Sequence, residues 1–176
     1  LPNGNCVILP NINGRGYGFF KITEGESSGL WSVLRSSEDE VLKGSLLITL
    51  YENLRWKTIS PQGFREEMLA YLPNESNSLL FSMALSYLGD CQRIFPSDSR
   101  PLEQVLWKIV TTNPVSQHRL QAFRLYRSIA DSEEAVQRLY TLWQERKAPK
   151  DCTLSESDYI GLSYMLAIHL PGKAGK

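Results

Sequence analysis

Histidine is nearly missing from this 176-residue chain, which has two, His118 and His169. A zinc site of the HExxH kind needs two histidines one helical turn apart, with a glutamate beside the first as base. Here Arg119 follows His118 and Leu170 follows His169, so the chain cannot build that site alone. Cysteine is scarce too. Cys6, Cys91 and Cys152 form no CxxC pair, and an odd number cannot all enter a closed disulfide framework, which leaves the redox compartment open. No GxSxG elbow occurs and no cysteine stands near a histidine in sequence, so nucleophilic catalysis has no local signature. An excess of either charge is also absent: Lys+Arg and Asp+Glu are both 19. With no net field to attract polyanions, neither nucleic acid nor an anionic membrane is an expected partner. No apolar run reaches the ~18 residues of a membrane span, and no basic and apolar leader opens the chain. A soluble protein is expected, with cytoplasmic and exported settings both open.

What is present is helical pattern. Hydrophobic residues make up 42% and charged residues 22%, ordinary for a folded chain with a core. The start at Leu1 without Met, and the trailing Gly172 to Lys176, are expected to be cut points in a longer polypeptide. Residues 5–23 alternate apolar and polar character around an Asn/Gly turn and predict a short β-hairpin. The Gly/Ser/Glu stretch 24–29 reads as a linker, so residues 1–29 are expected to be hairpin and linker, and 30–176 one compact helical-repeat domain.

Downstream, Leu30 to Leu34 predicts a short helix. A longer one from about Glu38 carries Leu42, Leu46, Leu47, Leu50 and Leu54, with Ile48 and Tyr51 on the remaining faces, and is expected to be buried on more than one side. Ser60-Pro61 starts a third helix that Pro73 stops. Stripes through Leu80 to Phe95, Leu102 to Val110, Leu120 to Ile129 and Val136 to Trp143 predict four more. Thr153-Leu154-Ser155-Glu156 has the form of a capping box for a last helix running to about His169. The expected fold is all-α: a right-handed superhelical stack of antiparallel helix pairs, HEAT- or armadillo-like, behind an N-terminal β-hairpin. Trp31, Leu50, Leu80, Leu88, Leu106, Phe123, Leu139 and Trp143 are the expected core.

Candidate chemistry is thin. His118 and His169 border apolar stripes and read as structural. Cys91 lies on a stripe where a thiol acts as a small hydrophobe. Gly14-Arg15-Gly16-Tyr17-Gly18 fits a tight turn better than a phosphate loop, being neither GxGxxG nor GxxxxGK[ST]. Arg100, Lys108, Arg119, Arg124 and Arg127 outnumber Glu103 in their stretch. Arg124 and Arg127 point off the apolar stripe and are the candidate contacts for a peptide carboxylate or other anion, against the plainer reading of a solvated face. Glu66-Glu67 and Glu133-Glu134 read as surface or helix N-terminal charges, and Asn74-Glu75-Ser76 has the form of a glycosylation sequon.

The turn Asn11-Ile12-Asn13-Gly14-Arg15-Gly16-Tyr17 resembles the N-x-x-G-x-G-Y segment that opens the helical C-terminal domain in the aminopeptidase N family of zinc metallopeptidases. In order behind it come Leu30-Trp31, Leu50-Tyr51-Glu52-Asn53, Ile59-Ser60-Pro61 before Phe64, and Leu72 with Glu75-Ser76-Asn77. The resemblance runs from about residue 7 to the end. It departs at Gly18-Phe19-Phe20, where many members have Tyr-Arg-Val, so no role of that arginine carries over. It implies a non-catalytic superhelix capping an upstream catalytic domain of the same polypeptide and restricting peptide access. Zinc and the hydrolase residues would then belong to that domain, and no catalytic, metal or cofactor residue falls in this chain. A free-standing helical scaffold for protein partners is the alternative.

Overall fold

Local capping chemistry sets where the helices begin. Thr23 accepts from the Glu26 N–H while Glu26 bonds back to the Thr23 backbone, a capping box that starts α1 (Glu24–Ser36). Asp39 accepts from the N–H groups of Val41 and Leu42 and starts α2 (Glu40–Arg55). Ser60, with Pro61 behind it, opens α3 (Pro61–Tyr71), which passes through a short 3-10 turn, Leu72–Asn74. Asn77 Oδ1 takes the first amides of α4 (Ser78–Ile94). Then follow α5 (Arg100–Thr112), α6 (Ser116–Ile129), α7 (Glu133–Glu145, capped by Ser132) and α8 (Glu156–His169, capped by Ser155). The computed structural model describes residues 8–10, 16, 18–149 and 152–170, and among these there are eight α-helices and no strand.

The expected β-hairpin, and with it the hairpin-led superhelical stack, is therefore corrected to an all-helical fold held by helix–helix packing. Residues 5–7, 11–15 and 17 of the expected hairpin lie outside the described residues. Where the segment is described its backbone bonds go to a side chain. Asn53, fully buried on α2, accepts the Ile22 N–H at 2.9 Å and donates to the Phe20 carbonyl at 2.8 Å. An extended stretch with Ile22 buried between exposed Lys21 and Thr23 has the alternation of a strand. Its buried backbone groups need partners, and one amide supplies them. The supposed linker is helix as well, since α1 starts at Glu24 rather than Leu30. The last helix also begins differently: its box is Ser155 with Asp158, not Thr153 with Glu156.

The chain forms two compact units divided between Cys91 and Gln92, inside α4. In the first, α1 packs on α2, and Trp31 meets Phe64 of α3 edge to face at 5.5 Å. Leu30, Leu34, Leu47, Leu50, Leu54, Met68, Leu72 and Leu88 are wholly buried around that contact. In the second, α5 and α6 form an antiparallel pair, Trp107 against Tyr126 at 5.2 Å, and α7 and α8 form another. Leu102, Leu106, Phe123, Tyr126, Leu139, Leu162 and Leu166 fill that core. Of the expected core, Trp143 alone is half-buried: its indole N–H donates to Ser163 Oγ at 2.8 Å, which keeps it at the margin.

Candidate docking groove

Among the described residues, four polar clusters and two of the concavities are places where chemistry could sit. Arg124 and Arg127, the candidate anion contacts, are already engaged. Arg124 grips Asp158 with two hydrogen bonds, 2.8 and 3.1 Å, and Arg127 donates to the Asp158 carbonyl at 2.9 Å. Ser155 donates to the same carboxylate from its hydroxyl and its backbone N–H. Arg124 and these donors hold the Asp158 carboxyl far below the ordinary aspartate range, the bond to Asp158 raises the Arg124 guanidinium, and burial lowers Arg127. The arrangement anchors the start of α8 to α6. Gly161 makes room for it, since a Cβ there would stand 2.5 Å from the Arg127 guanidinium carbon.

Glu103, from α5, does the same for α7. One of its oxygens accepts from Ser99 Oγ and the N–H groups of Asp131 and Ser132, and the other takes the Ser132 hydroxyl. Burial works to raise this carboxyl, and the donors together outweigh it and lower it. In the first unit Glu75 accepts from Lys43 at 2.5 Å, from the Tyr71 hydroxyl and from the Asn77 N–H. Burial again opposes ionisation and the donors again prevail. Asn53 completes the set, with Thr58 Oγ1 donating to it at 2.6 Å. In each cluster polar atoms bond the protein's own backbone: Asp158, Glu103 and Glu75 at or just before helix starts, and Asn53 at the extended stretch before α1.

Other reactive residues are placed unproductively. His118 is fully buried and His169 half-buried on a different helix. The Cys91 thiol is buried 3.7 Å from the Pro61 carbonyl, and burial pushes it up, away from thiolate. Cys6 and most of the Gly14–Gly18 turn lie outside the described residues. Among the described residues no three His, Cys, Asp or Glu side chains gather as metal ligands.

Two concavities among the described residues bear on binding. One, of about 600 Å³, lies between α5 and α7 and includes Arg100, Gln104, Trp107, Lys108 and Arg138. Two of its cations are committed: Arg138 lies over the Trp107 ring and bonds Tyr126 and Glu134, and Arg100 pairs with Asp98. The other, of about 410 Å³, is apolar and lies between α2 and α4. These two helices run parallel, since Lys43 meets Glu75 near their starts and Tyr51 meets Tyr87 and Asp90 near their ends. The tyrosine rings stack at 4.0 Å, and burial followed by the bond to Asp90 pushes the Tyr51 hydroxyl up to about 12. Between these two bridges Gly44 has no side chain and Leu80 packs against its backbone, forming a floor. Val41, Ile48, Leu79 and Met83 are the walls, and Glu40 is the one charged lining residue. Val41 is 72% exposed, Leu79 70% and Ile48 49%. Helix α2 is buried on more than one side, through Leu46, Leu47, Leu50 and Leu54, while Ile48 opens onto the groove.

No protein-family model, curated protein or solved structure matches the chain. Among the described residues no helix is long and apolar enough to cross a membrane.

Proposed function

We propose that this chain is a non-catalytic helical module that works by docking, with the α2–α4 groove as its receiving surface. The observation that carries this is the convergence of Val41, Ile48 and Leu79, three large exposed apolar side chains, on one concavity with a single charged rim residue. Exposed apolar residues scattered singly need no explanation, but a contiguous set around a groove marks an interaction surface. A channel between two parallel helices suits the apolar face of a third helix, read as anchors at i, i+3 or i+4 and i+7. The polar clusters support the same reading from the other side, because each is spent on the protein's own backbone.

Titrating a panel of amphipathic helical peptides into isotope-labelled protein tests the reading. Amide shifts at Val41, Ile48 and Leu79 that saturate, and vanish in Leu79→Glu, are the expected result. A panel that leaves those amides unmoved would overturn it.

The resemblance to aminopeptidase C-terminal domains supplies a host for such a module. In that finer reading it caps an upstream catalytic domain that binds zinc and receives peptides. Its support is the order of Leu30-Trp31, Tyr51-Glu52-Asn53, Ser60-Pro61 and Glu75-Ser76-Asn77 along the chain. The expected outcome is that purified chain does not hydrolyse aminoacyl substrates with zinc added. Zinc-dependent turnover by the chain itself would sink it.

A further inference from the structure

Helix α8 breaks the rule that a surface helix is polar on the side away from its core. Leu162, Met165 and Leu166 are buried against the second unit, yet Ile160, Tyr164 and Ile168 stand on the outside, 48%, 72% and 77% exposed. From Tyr159 to Ile168 there is no charged residue at all. A helix apolar on both sides is expected to be covered on both sides. We infer that the exposed α8 face of one copy of this chain docks in the α2–α4 groove of a second copy.

Three observations fit the two surfaces to each other. Their shapes match: Ile160, Tyr164 and Ile168 lie at i, i+4 and i+8, a single ridge of the kind that packs into the groove between helix rows. At a 1.5 Å rise that ridge is roughly 12 Å long, and the wall from Val41 to Ile48 is roughly 10 Å. Their polarity matches, an uncharged ridge against a groove whose one lining charge is Glu40 at the α2 start. The floor also suits a large side chain, since the missing Cβ of Gly44 leaves space between Val41 and Ile48 for the Tyr164 ring. Docked antiparallel to α2, the ridge would bring His169 to the Glu40 end. Because groove and ridge are different surfaces, the contact is heterologous, and one copy can use both at once. The patch is small beside a standard interface, so the association is weak, with a dissociation constant on the order of 10 µM to 1 mM.

This inference rests on the docking reading of the groove, and sedimentation velocity on the full chain across that concentration range tests it. Wild-type protein should self-associate, and Leu79→Glu and Tyr164→Glu should each lower the association constant at least tenfold. Both positions are exposed, so helicity by circular dichroism should be unchanged, and Val41→Lys with Ile168→Lys gives a second independent pair. Mixing the groove variant with the ridge variant decides the matter. One intact groove and one intact ridge remain, and they should yield a 1:1 complex that does not grow further. A wild-type chain monomeric throughout, single variants that still associate, or a mixture that stays monomeric would each overturn the inference. Peptide-induced shifts at Val41, Ile48 and Leu79 in a chain that stays monomeric would leave the docking reading standing and only this occupant wrong.

Discussion

The two units hold their polar interiors by different chemistry. In the first, a buried amide is the larger hub: Asn53 ties the stretch at Phe20 and Ile22 to α2 and takes the Thr58 hydroxyl, with one buried carboxylate, Glu75, beside Lys43. In the second, the hubs are carboxylates, with Glu103 at the start of α7 and Asp158 at the start of α8. A neutral amide needs no counter-charge and does not titrate, whereas a buried carboxylate holds more donors and stays ionised only while they remain in place. With Glu103 and Asp158 against Glu75 alone, the second unit is the more sensitive to acid. Both units leave apolar helix surface open, the groove in the first and the α8 ridge in the second.

Glu103→Ala should break the contrast most severely. It strands the Ser99 and Ser132 hydroxyls and the N–H groups of Asp131 and Ser132, and unfolding by urea should show a loss of about 3 kcal/mol or more. Asn53→Ala should cost about 2 kcal/mol, with faster amide exchange at Ile22 as its local mark. Lowering the pH sharpens the comparison without mutation. The folded-state values of Glu103 and Asp158 lie below their unfolded values near 4, so the stability they give is complete above that range and is lost as pH falls through the folded values. Amides of α7 and α8 should lose exchange protection on acidification before those of α1 and α2. The reverse order would show that Glu75, not these two, dominates the acid response.

Helix positions were legible in the chain because caps and prolines are local: Ser60-Pro61 opens α3 where it was expected to act. The start of α1 was legible too, through Thr23 and Glu26, but the glycine and serines between 24 and 29 have the composition of a linker and mask it. Tertiary partners were not legible. Nothing in the periodicity of α6 says that Arg124 will find Asp158 at 2.8 Å, so an engaged arginine and a solvated one look the same. The strand-like pattern at Phe20 and Ile22 misleads for the same reason, since alternation reports an extended, half-buried backbone and not what pairs with it. The groove and the ridge did leave a trace. Ile48 lies off the main stripe of α2, and Ile160, Tyr164 and Ile168 lie opposite Leu162 and Leu166, and apolar residues off the core face are the signal of a surface meant to be covered.

Two glycines give the finer tests, one in each unit, and they should differ in sign. Glycine inside a helix costs roughly 1 kcal/mol against alanine. At Gly161 that gain is outweighed, because the new methyl would meet the Arg127 guanidinium at 2.5 Å and push it from the Asp158 carbonyl. Gly161→Ala should destabilise the second unit by about 1 kcal/mol, and Arg127→Ala should abolish that penalty in the double variant. At Gly44 the new methyl would rest 3.7 Å from a Leu80 methyl, ordinary contact. Gly44→Ala should therefore raise stability by about 0.5–1 kcal/mol in urea unfolding. It also raises the groove floor under any docked side chain, so the same substitution should weaken peptide binding severalfold. A more stable protein that binds as well as wild type would show that the docked side chain does not reach Gly44.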